Sequence, residues 1–340
     1  MSPSNEIPGS LMDATAITVR VPATSANLGA GFDCLGLALD VFASITVTFS
    51  EAEQPPTEDV GEKMVLTAIR HTYARLGKLA PGVRAHYGLA IPLGRGMGAS
   101  AVARVAGVLA ANEFEGRPLS EGDCLDLASE LEGHGDNACP ALFGGMQVCV
   151  LDSAGASKSG SPGSSPGGSP GGSPGGSPAP RAPHYLRAAC GYPREASIAL
   201  LIPDHSMATK EARKVLPESY PKADVVHNVG RAALFVAAMA CGNMELLDEA
   251  TQDRVHQPQR AALFPPLFDI FDAAKTSGAH AAWLSGAGSS VAAICNEDSA
   301  RAVAAAMLAT LEASGGTGRS LVTRIARDGA MVAKVELVQE

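Results

Sequence analysis

The stretch Pro92-Leu93-Gly94-Arg95-Gly96-Met97-Gly98-Ala99-Ser100 joins two segments of different hydrophobic periodicity. Before it, apolar residues alternate with other residues from 83 to 91, which is the pattern of a β-strand. After it, residues 99–112 are rich in Ala, Val and Leu and contain a single glycine and no proline, which predicts a helix. Three glycines therefore lie on a predicted strand-to-helix turn, where a backbone without side chains can approach a ligand closely.

This turn is suited to an anion, because the start of the following helix offers free N–H groups and the positive end of the helix dipole. Ser100, in the first helical turn, adds a hydroxyl for a phosphate or a bound magnesium ion. A plain glycine-rich connection explains the same residues, and the stretch alone does not decide between the two. It is not a Walker loop, since no Lys-Ser or Lys-Thr follows the last glycine, and it lacks the last spacing of a Rossmann fingerprint.

Composition narrows the class of protein. A chain of 340 residues suggests two domains or one large one, and 46% hydrophobic residues supply a core. The net charge of -9 argues against nucleic-acid or membrane-surface binding. The longest apolar run, residues 232–241, is too short to span a bilayer.

Cysteine usage and the N-terminus indicate a cytoplasmic protein. The 7 cysteines are scattered without a C-x-x-C pair, which predicts reduced thiols and no structural zinc. The first basic residue is Arg20, so no signal or transit peptide is indicated. A plastid location stays open for a chain whose transit peptide has been removed.

Two further stretches concentrate polar side chains. Residues 22–33 follow a predicted strand and form a loop of small residues with groups able to bind polar ligands. Residues 130–137 follow a helix that Ser120 is expected to cap, and they contain two glutamates, a histidine, an aspartate and an asparagine. A solvated helix end explains such a cluster, but the glycines beside His134 and Asp136 favour a shaped, functional loop.

Residues 154–183 are of low complexity, and Gly-Gly-Ser-Pro occurs three times without change between 167 and 178. This composition cannot bury a core, so it predicts a flexible insertion without chemistry. Residues 1–15 are polar and are predicted to be disordered.

Beyond the insertion, predicted strands and helices alternate around a second glycine-rich turn at residues 285–290. Near the C-terminus, predicted strands at 321–326 and 331–337 flank Asp328-Gly329, which predicts a hairpin. The C-terminal part is therefore expected to be α+β.

Five stretches together resemble the GHMP kinases and, within that superfamily, the homoserine kinase family. Residues 22–33 resemble the first motif, residues 92–100 the phosphate loop, and residues 285–290 the third, glycine-rich motif. Glu132-Gly-His-Gly-Asp-Asn137, followed by Pro140-Ala-Leu-Phe-Gly-Gly145, and residues 209–217 resemble stretches that separate homoserine kinases from their relatives. The resemblance covers nearly the whole chain except residues 1–15 and the insertion.

The chain departs from the family pattern at three places. Ala99 stands where the phosphate loop commonly has its first serine, and Arg95 where a small residue is common. The third motif ends in Ser289-Ser290 where Pro-Thr is usual. These departures bear on nucleotide affinity.

The resemblance implies a two-domain α+β fold. Residues 16–153 would form an ATP-binding domain like domain 2 of ribosomal protein S5, and residues 184–340 a ferredoxin-like domain. The implied activity is ATP-dependent phosphorylation of the side-chain hydroxyl of L-homoserine to O-phospho-L-homoserine, a step of threonine biosynthesis, with Mg²⁺. A homodimer is also implied, with no nucleic-acid or membrane partner.

The resemblance also assigns residues to the substrate, which presents a carboxylate, an ammonium and a hydroxyl. Arg213 and Arg260 would bind the carboxylate, since a guanidinium can form a fork of two hydrogen bonds to it. Asp33 would hold the amino group. The residues expected around the hydroxyl, and assigned as catalytic, are Asn27, Asp136 and Asn137. His134 and Thr209 are further contacts.

For the nucleotide, the resemblance implies that backbone N–H groups of the phosphate loop wrap the phosphates. The residues assigned to this role are Pro92, Gly94, Arg95, Gly96, Met97, Gly98, Ala99 and Ser100. Magnesium would be held by Ser100 and Glu132, with Glu130 as the alternative carboxylate. No general base is evident, so the hydroxyl proton would pass directly to the phosphate.

Two other functions compete with this one. Another small-molecule GHMP kinase, such as a mevalonate-type enzyme, has a substrate without an ammonium group and needs no Asp33. A non-catalytic GHMP-fold binding protein would have no reason to retain Ser100, Glu132 and Asp136. The residues present therefore favour the kinase of an amino acid.

Overall fold

The computed structural model describes residues 13–51, 54–88, 91–152 and 182–339, and their strands form two antiparallel sheets. The first sheet has the order β10-β1-β2-β4-β5, with β3 also paired to β2. Its strands are β1 (Asp13–Ala26), β2 (Leu35–Ser50), β3 (Gly82–Tyr87), β4 (Met146–Leu151), β5 (Tyr185–Cys190) and β10 (Met331–Gln339). The second sheet has the order β7-β8-β6-β9, and its strands are β6 (Ser197–Pro203), β7 (Ala279–Leu284), β8 (Val291–Cys295) and β9 (Gly318–Arg324).

The helices of the first half cover the first sheet, and those of the second half accompany the second sheet. The first group is α1 (Val60–Arg75), α2 (Ala99–Phe114), α3 (Glu121–Glu132) and α4 (Ala138–Phe143). The second group is α5 (Thr209–Lys214), α6 (Lys222–Cys241), α7 (Leu247–Ala250), α8 (Gln257–Ala261), α9 (Leu267–Thr276) and α10 (Glu297–Ala313). A short 3₁₀ helix, Met244–Leu246, precedes α7.

The first sheet with α1 to α4 is called the first unit here, and the second sheet with α5 to α10 the second unit. Helix α2 lies at the centre of the first unit because most of its surface is apolar and buried. Gly107, the one glycine of this helix, lets α1 approach closely, since a Cβ there would lie 2.5 Å from the Val65 carbonyl oxygen. The adjoining sheet depends on β2, a single strand of 16 residues. One end of β2 pairs with β3 and the other with β4. The predicted strand, glycine loop and helix α2 are thus held against one continuous core.

The second unit has the element order β-α-β-β-α-β, with several helices in the first crossover. With β6 to β9 numbered one to four along the chain, the spatial order is four-one-three-two, the arrangement of ferredoxin-like domains. The predicted α+β fold is therefore confirmed.

The predicted C-terminal hairpin is wrong. Strand β9 pairs with β6 in the second sheet, whereas β10 pairs with β1 in the first. The turn between them docks on α4: the Ala330 N–H donates to the Ala141 carbonyl at 2.8 Å, and a Cβ on Gly329 would lie 2.1 Å from the Leu142 oxygen. Asp328-Gly329 is a turn signal, but a local signal does not determine which strand edge accepts the next strand.

Strands β5 and β10 lie within the predicted C-terminal domain, residues 184–340, yet they extend the first sheet. The domain boundaries stay a prediction. Residues 13–15, predicted to be disordered, are part of β1, because Thr15 pairs with Leu337 on one side and Phe49 on the other. The remainder of the predicted disordered N-terminus and residues 154–181 of the predicted insertion lie outside the described residues.

Helix α6 is long and apolar enough to cross a membrane by length and composition alone, which is weak evidence. The 20-residue helix also carries Lys222, Asp224 and Arg231. Several apolar side chains along it face outward, among them Val225, Val226 and Val229.

Candidate active site

A cavity of about 300 Å³ lies where the first and second units meet, and all five motif stretches contribute to its wall. The predicted site residues that line it are Asn27, Asp33, Gly94, Gly96, Gly98, Ala99, Ser100, Glu132, His134, Asp136, Asn137, Thr209, Arg213 and Arg260. A larger hollow of about 860 Å³ lies along α10 and β9, and none of these residues lines it. The smaller cavity is therefore the candidate active site.

The carbonyl groups of the phosphate loop hold it against neighbouring segments of the protein. The four consecutive carbonyl oxygens from Gly94 to Met97 each accept a hydrogen bond from another segment. The donors are Met207 N, Ser290 N, Ser285 Oγ and Thr24 N, at 3.0, 3.0, 2.6 and 3.1 Å. Within the described part of the chain, the backbone N–H groups from Gly94 to Ala101 have no acceptor. The loop therefore keeps its donors for an anion.

Helix α2 begins directly after this loop and has no side-chain cap. Its N-cap is Gly98, in the left-handed region with φ 68°, so no N-cap side chain satisfies the first N–H groups. The open helix end lines the cavity through Ala99 and Ser100. Ala99 keeps the backbone N–H groups that a phosphate needs, although it lacks the serine hydroxyl common in the family.

Two of the loop glycines are required by close contacts as well as by their positive φ angles. A Cβ on Gly96 would lie 2.1 Å from the Ser285 carbonyl oxygen, and one on Gly98 would lie 1.8 Å from Thr24 Oγ1. Any side chain at either position would push the phosphate loop away from the third motif or from β1.

Three residues assigned to the nucleotide, Pro92, Arg95 and Met97, are not among the residues that line the cavity. The Arg95 guanidinium donates from Nη1 to the Pro203 carbonyl at 2.6 Å, so it ties the loop to the end of β6. Met97 is buried in the core. The position of Arg95 in the motif could not reveal the direction of its long side chain.

Glu132 and Ser100 lie together at the start of α2, as the metal assignment requires. Ser100 Oγ donates to Glu132 Oε2 at 3.1 Å, and Arg104 Nη1 lies 2.5 Å from Glu132 Oε1. Burial raises the pKa of Glu132, although Arg104, His134 and the Ser100 hydroxyl oppose this. A cation beside this carboxylate would favour its charged form.

Glu130, the alternative carboxylate, faces away from the cavity. Its Oε2 accepts from Arg75 Nη2 at 2.8 Å and lies 3.0 Å from His71 Nε2. Two residues further along α3, Glu132 faces the cavity instead. The geometry therefore favours Glu132 over Glu130.

At the other end of the cavity, Asp33 and Arg213 form a two-pronged ion pair. The Arg213 guanidinium donates to the two carboxylate oxygens of Asp33 at 2.7 and 3.0 Å. Both side chains are half-buried and line the cavity. The residues predicted to bind the substrate's two charges thus bind each other in this structure.

Arg260 lies just behind this pair, within α8, and is almost completely buried. Its Nε donates to the Ala212 carbonyl at 3.2 Å and its Nη1 to the Gly286 carbonyl at 3.0 Å. Burial lowers the pKa of Arg260 to about 10, helped by the neighbouring positive charge of Arg213. Arg260 thus brings a second positive charge to the same end of the cavity.

A hydrogen-bonded group on the loop between α3 and α4 occupies the middle of the cavity. Asp136 Oδ1 accepts from Asn137 Nδ2 at 3.2 Å and bonds His134 Nδ1, while Asn137 Oδ1 accepts from Thr24 Oγ1 at 2.7 Å. Burial would lower the pKa of His134, but its hydrogen bond to Asp136 and the nearby carboxylates outweigh burial and raise it. Ligand atoms of Asp33, His134 and Asp136 lie within 4.8 Å of one another, but Arg213 already occupies Asp33.

Asn27 holds the first-motif loop in place with both ends of its side chain. Its Oδ1 accepts from the Asp33 N–H at 3.0 Å, and its Nδ2 donates to the Gly286 carbonyl at 2.8 Å. Its backbone has φ 70°, in the left-handed region that asparagine tolerates better than most residues. The catalytic role assigned to Asn27 stays a prediction.

Several lining residues were not singled out in the sequence. Val60, Met64 and Leu93 form an apolar part of the wall next to the phosphate loop. Arg104 does not line the cavity but pairs with Glu132. It follows Ser100 by one helical turn, and this i, i+4 spacing is the signal that could have identified it.

The comparisons with known proteins agree with this site. Residues 63–145 match the GHMP kinases N terminal domain, and residues 235–313 match the GHMP kinases C terminal model. The fold, the anion-ready glycine loop and these two matches together define a kinase of the GHMP class.

Two individual relatives identify the family within the GHMP kinases. The chain is 39% identical to the homoserine kinase of Gloeobacter violaceus over 306 residues, covering 86% of this chain and 92% of that protein. It is also 39% identical to the homoserine kinase of Deinococcus radiodurans over 293 residues, covering 84% and 85%. The chain belongs to the homoserine kinase family, so the family predicted from the motifs is confirmed.

Two solved structures have a fold similar to that of this chain. The crystal structure of homoserine kinase from Cytophaga hutchinsonii matches with a TM-score of 0.77 at 25% identity, over 98% of this chain and 100% of that one. A mevalonate kinase crystal structure matches with a TM-score of 0.62 at 13% identity, over 92% and 99%, which shows the shared fold alone.

Proposed function

We propose that this protein phosphorylates the side-chain hydroxyl of L-homoserine with ATP, giving O-phospho-L-homoserine for threonine synthesis. The observation that carries the proposal is the cavity itself. One end presents backbone N–H groups that have no acceptor among the described residues, and the other presents Asp33, Arg213 and Arg260 for a molecule that carries both an ammonium and a carboxylate. Relatives named homoserine kinase support the same substrate.

The triphosphate of ATP would lie along the phosphate loop and the start of α2. There the free N–H groups and the helix dipole stabilise negative charge, including charge that builds up as the γ-phosphoryl group transfers. The neighbouring apolar wall of Val60, Met64 and Leu93 suits the adenine ring.

Magnesium would be held by Ser100 and Glu132. Their fit is supported by the chemistry of the donors, since the buried Glu132 carboxylate and the Ser100 hydroxyl lie side by side and both residues line the cavity. When bound, the ion would offset the negative charge of the phosphates. Removing divalent ions with EDTA is expected to abolish turnover, and added Mg²⁺ should restore it.

Homoserine binding would open the Asp33–Arg213 pair. The ammonium of homoserine would bind the carboxylate of Asp33, and the carboxylate of homoserine would bind the Arg213 guanidinium. Arg260 would add a second positive charge beside that carboxylate. A zwitterion therefore satisfies both side chains at once. A ligand with only one of the two charges would leave one of them unpaired in a half-buried site, which is costly.

The hydroxyl would lie near Asn137 and Asp136. Asp136 already accepts hydrogen bonds from His134 and Asn137, so we assign it to orienting these two side chains. In phosphoryl transfer most of the rate comes from positioning and charge stabilisation. The hydroxyl proton would therefore pass directly to the phosphate without a general base.

The test is ADP release from MgATP with L-homoserine, L-threonine, L-serine and mevalonate in parallel, with phosphorus NMR on the product. Turnover with homoserine alone, giving O-phosphohomoserine, is expected. Turnover with mevalonate would instead assign a sister activity. No turnover with any of the four would contradict the proposal.

A homodimer is also proposed. The outward-facing valines of α6, Val225, Val226 and Val229, form an apolar strip that a second copy could cover. Light scattering of the wild-type protein and of a Val226→Glu variant measures this: the variant should become a monomer.

A cytoplasmic location is proposed from the 7 free cysteines.

A further inference from the structure

A completely buried histidine, His256, lies directly behind Arg260. Its Nδ1 is 3.1 Å from Arg260 Nη1, and its Nε2 is 2.8 Å from the Gly29 carbonyl oxygen. A guanidinium can only donate and a carbonyl can only accept, so Nδ1 must be the acceptor and Nε2 must carry the proton. These two contacts therefore require a neutral ring in a single tautomer.

The imidazole also fixes the first-motif loop. Its ring stacks on Phe32 with a centroid distance of 5.2 Å and an interplanar angle of 28°. The Arg260 guanidinium lies 5.3 Å from the centroid of the same Phe32 ring. Because Phe32 precedes Asp33, one histidine side chain sets the positions of Arg260 and of the loop that carries Asp33.

The backbone at His256 is held by the carboxylate of Asp253, whose Oδ2 also lies 3.7 Å from His256 Nε2. The carboxylate of Asp253 accepts from the N–H groups of Val255, His256 and Gln257, at 2.9, 2.8 and 2.6 Å. This carboxylate therefore anchors the start of α8. Replacing the imidazole should leave this anchor, and so the position of α8, in place.

We propose that His256 is a positioning residue, whose neutral imidazole orients the Arg260 guanidinium toward the carboxylate of the amino-acid substrate. The proposal rests on the proposed function. Among the described residues, the Arg260 guanidinium has three hydrogen-bond acceptors, and only the one on His256 belongs to a side chain. The other two are backbone carbonyls, so the imidazole is the contact that a single substitution can remove.

His256→Leu and His256→Gln test the role. Leucine removes both hydrogen bonds, whereas glutamine can accept from Arg260 through its carbonyl and donate to Gly29 through its amide. We expect His256→Leu to raise the KM for homoserine roughly tenfold, as for one lost hydrogen bond to a charged group, with kcat and the KM for ATP within about twofold. His256→Gln should restore most of the affinity.

Asn112→Ala is the matched control. Asn112 is also buried and makes two hydrogen bonds with the backbone of Leu119, at 2.9 and 3.1 Å, but it does not line the cavity or contact Arg260. The control should lower Tm without a selective change in the KM for homoserine. An equal rise of the homoserine KM in the control and in His256→Leu would overturn the positioning role.

Nitrogen-15 NMR of the wild-type protein tests the contact without any variant. The His256 ring should be neutral at pH 7 with its proton on Nε2. A ring protonated on Nδ1 would overturn the proposal, because Nδ1 could not accept from Arg260.

If wild type does not phosphorylate homoserine, the proposed function is wrong and the positioning role falls with it. If it does and His256→Leu leaves the homoserine KM unchanged, only the positioning role is wrong.

Discussion

The two ends of the cavity are built in opposite ways. At the phosphate loop, four successive carbonyls are bonded to neighbouring segments, and the backbone N–H groups remain for a ligand. At the other end, the side chains of Asp33, Arg213 and Arg260 supply the chemistry, and two of them, Asp33 and Arg213, pair. One end depends on the absence of side chains, and the other depends on their charges.

This difference separates two kinds of sensitivity. Adding a single carbon at the phosphate loop should disturb the position of every donor in it. Removing a charge at the other end should leave the fold intact and change which ligands bind. Substitutions at the two ends should therefore affect different kinetic constants.

The largest effect is expected at Gly96. Gly96→Ala would place its Cβ 2.1 Å from the Ser285 carbonyl oxygen, so the loop must move. Since a shift of about 1 Å in an active site can cost roughly 100-fold, kcat/KM for ATP should fall by at least about that factor.

Gly94→Ala is the matched control for this substitution. Both glycines have positive φ angles, so alanine adds left-handed strain of roughly 1–2 kcal/mol at either position. The nearest atom to a Cβ on Gly94, however, is 3.6 Å away. A loss in the Gly94 variant as large as that in the Gly96 variant would show that strain, and not the contact with the third motif, limits activity.

A smaller effect is expected at α3, where two glutamates of one helix have different surroundings. Glu132→Gln should lower kcat by roughly 10- to 100-fold and raise the Mg²⁺ concentration needed for half-maximal activity, because it removes the charge at the proposed metal site. Glu130→Gln changes a carboxylate that pairs with Arg75 outside the cavity. Equal losses in the two variants, measured against Mg²⁺ concentration, would contradict the metal assignment.

At the charged end, Asp33→Asn should change selectivity more than catalysis. Losing a hydrogen bond between charged groups should raise the KM for homoserine about tenfold. The variant also frees the Arg213 guanidinium from its partner. Its kcat/KM for 4-hydroxybutanoate, an analogue without the amino group, should therefore equal or exceed that of wild type. A parallel loss for both substrates would mean that the ion pair is structural.

Much of this site could be predicted from the sequence because its chemistry follows local signals. Glycines after a strand and before an apolar helix predicted the phosphate loop, and a dense polar cluster after α3 predicted the loop that carries Asp136. Local patterns of this kind depend on neighbours in the chain, so one sequence is enough to find them.

What the sequence could not predict depends on residues far apart in the chain. Asp33 and Arg213 are 180 residues apart, and no local pattern indicates that they pair. The pairing of β10 with β1 depends on which sheet edge is open, and the direction of the Arg95 side chain depends on the end of β6. Each of these depends on contacts between segments that are distant in the chain.

The smallest effect is expected for Arg95→Ala. Because the guanidinium bonds the Pro203 carbonyl and lies outside both ends of the cavity, the KM for ATP should change by less than about threefold. A fall in Tm of a few degrees should accompany the lost hydrogen bond. A large rise in the KM for ATP, with Tm unchanged, would mean that Arg95 moves onto the phosphates when the nucleotide binds. The phosphate end would then use a side-chain charge as well, and the contrast with the charged end would be one of degree.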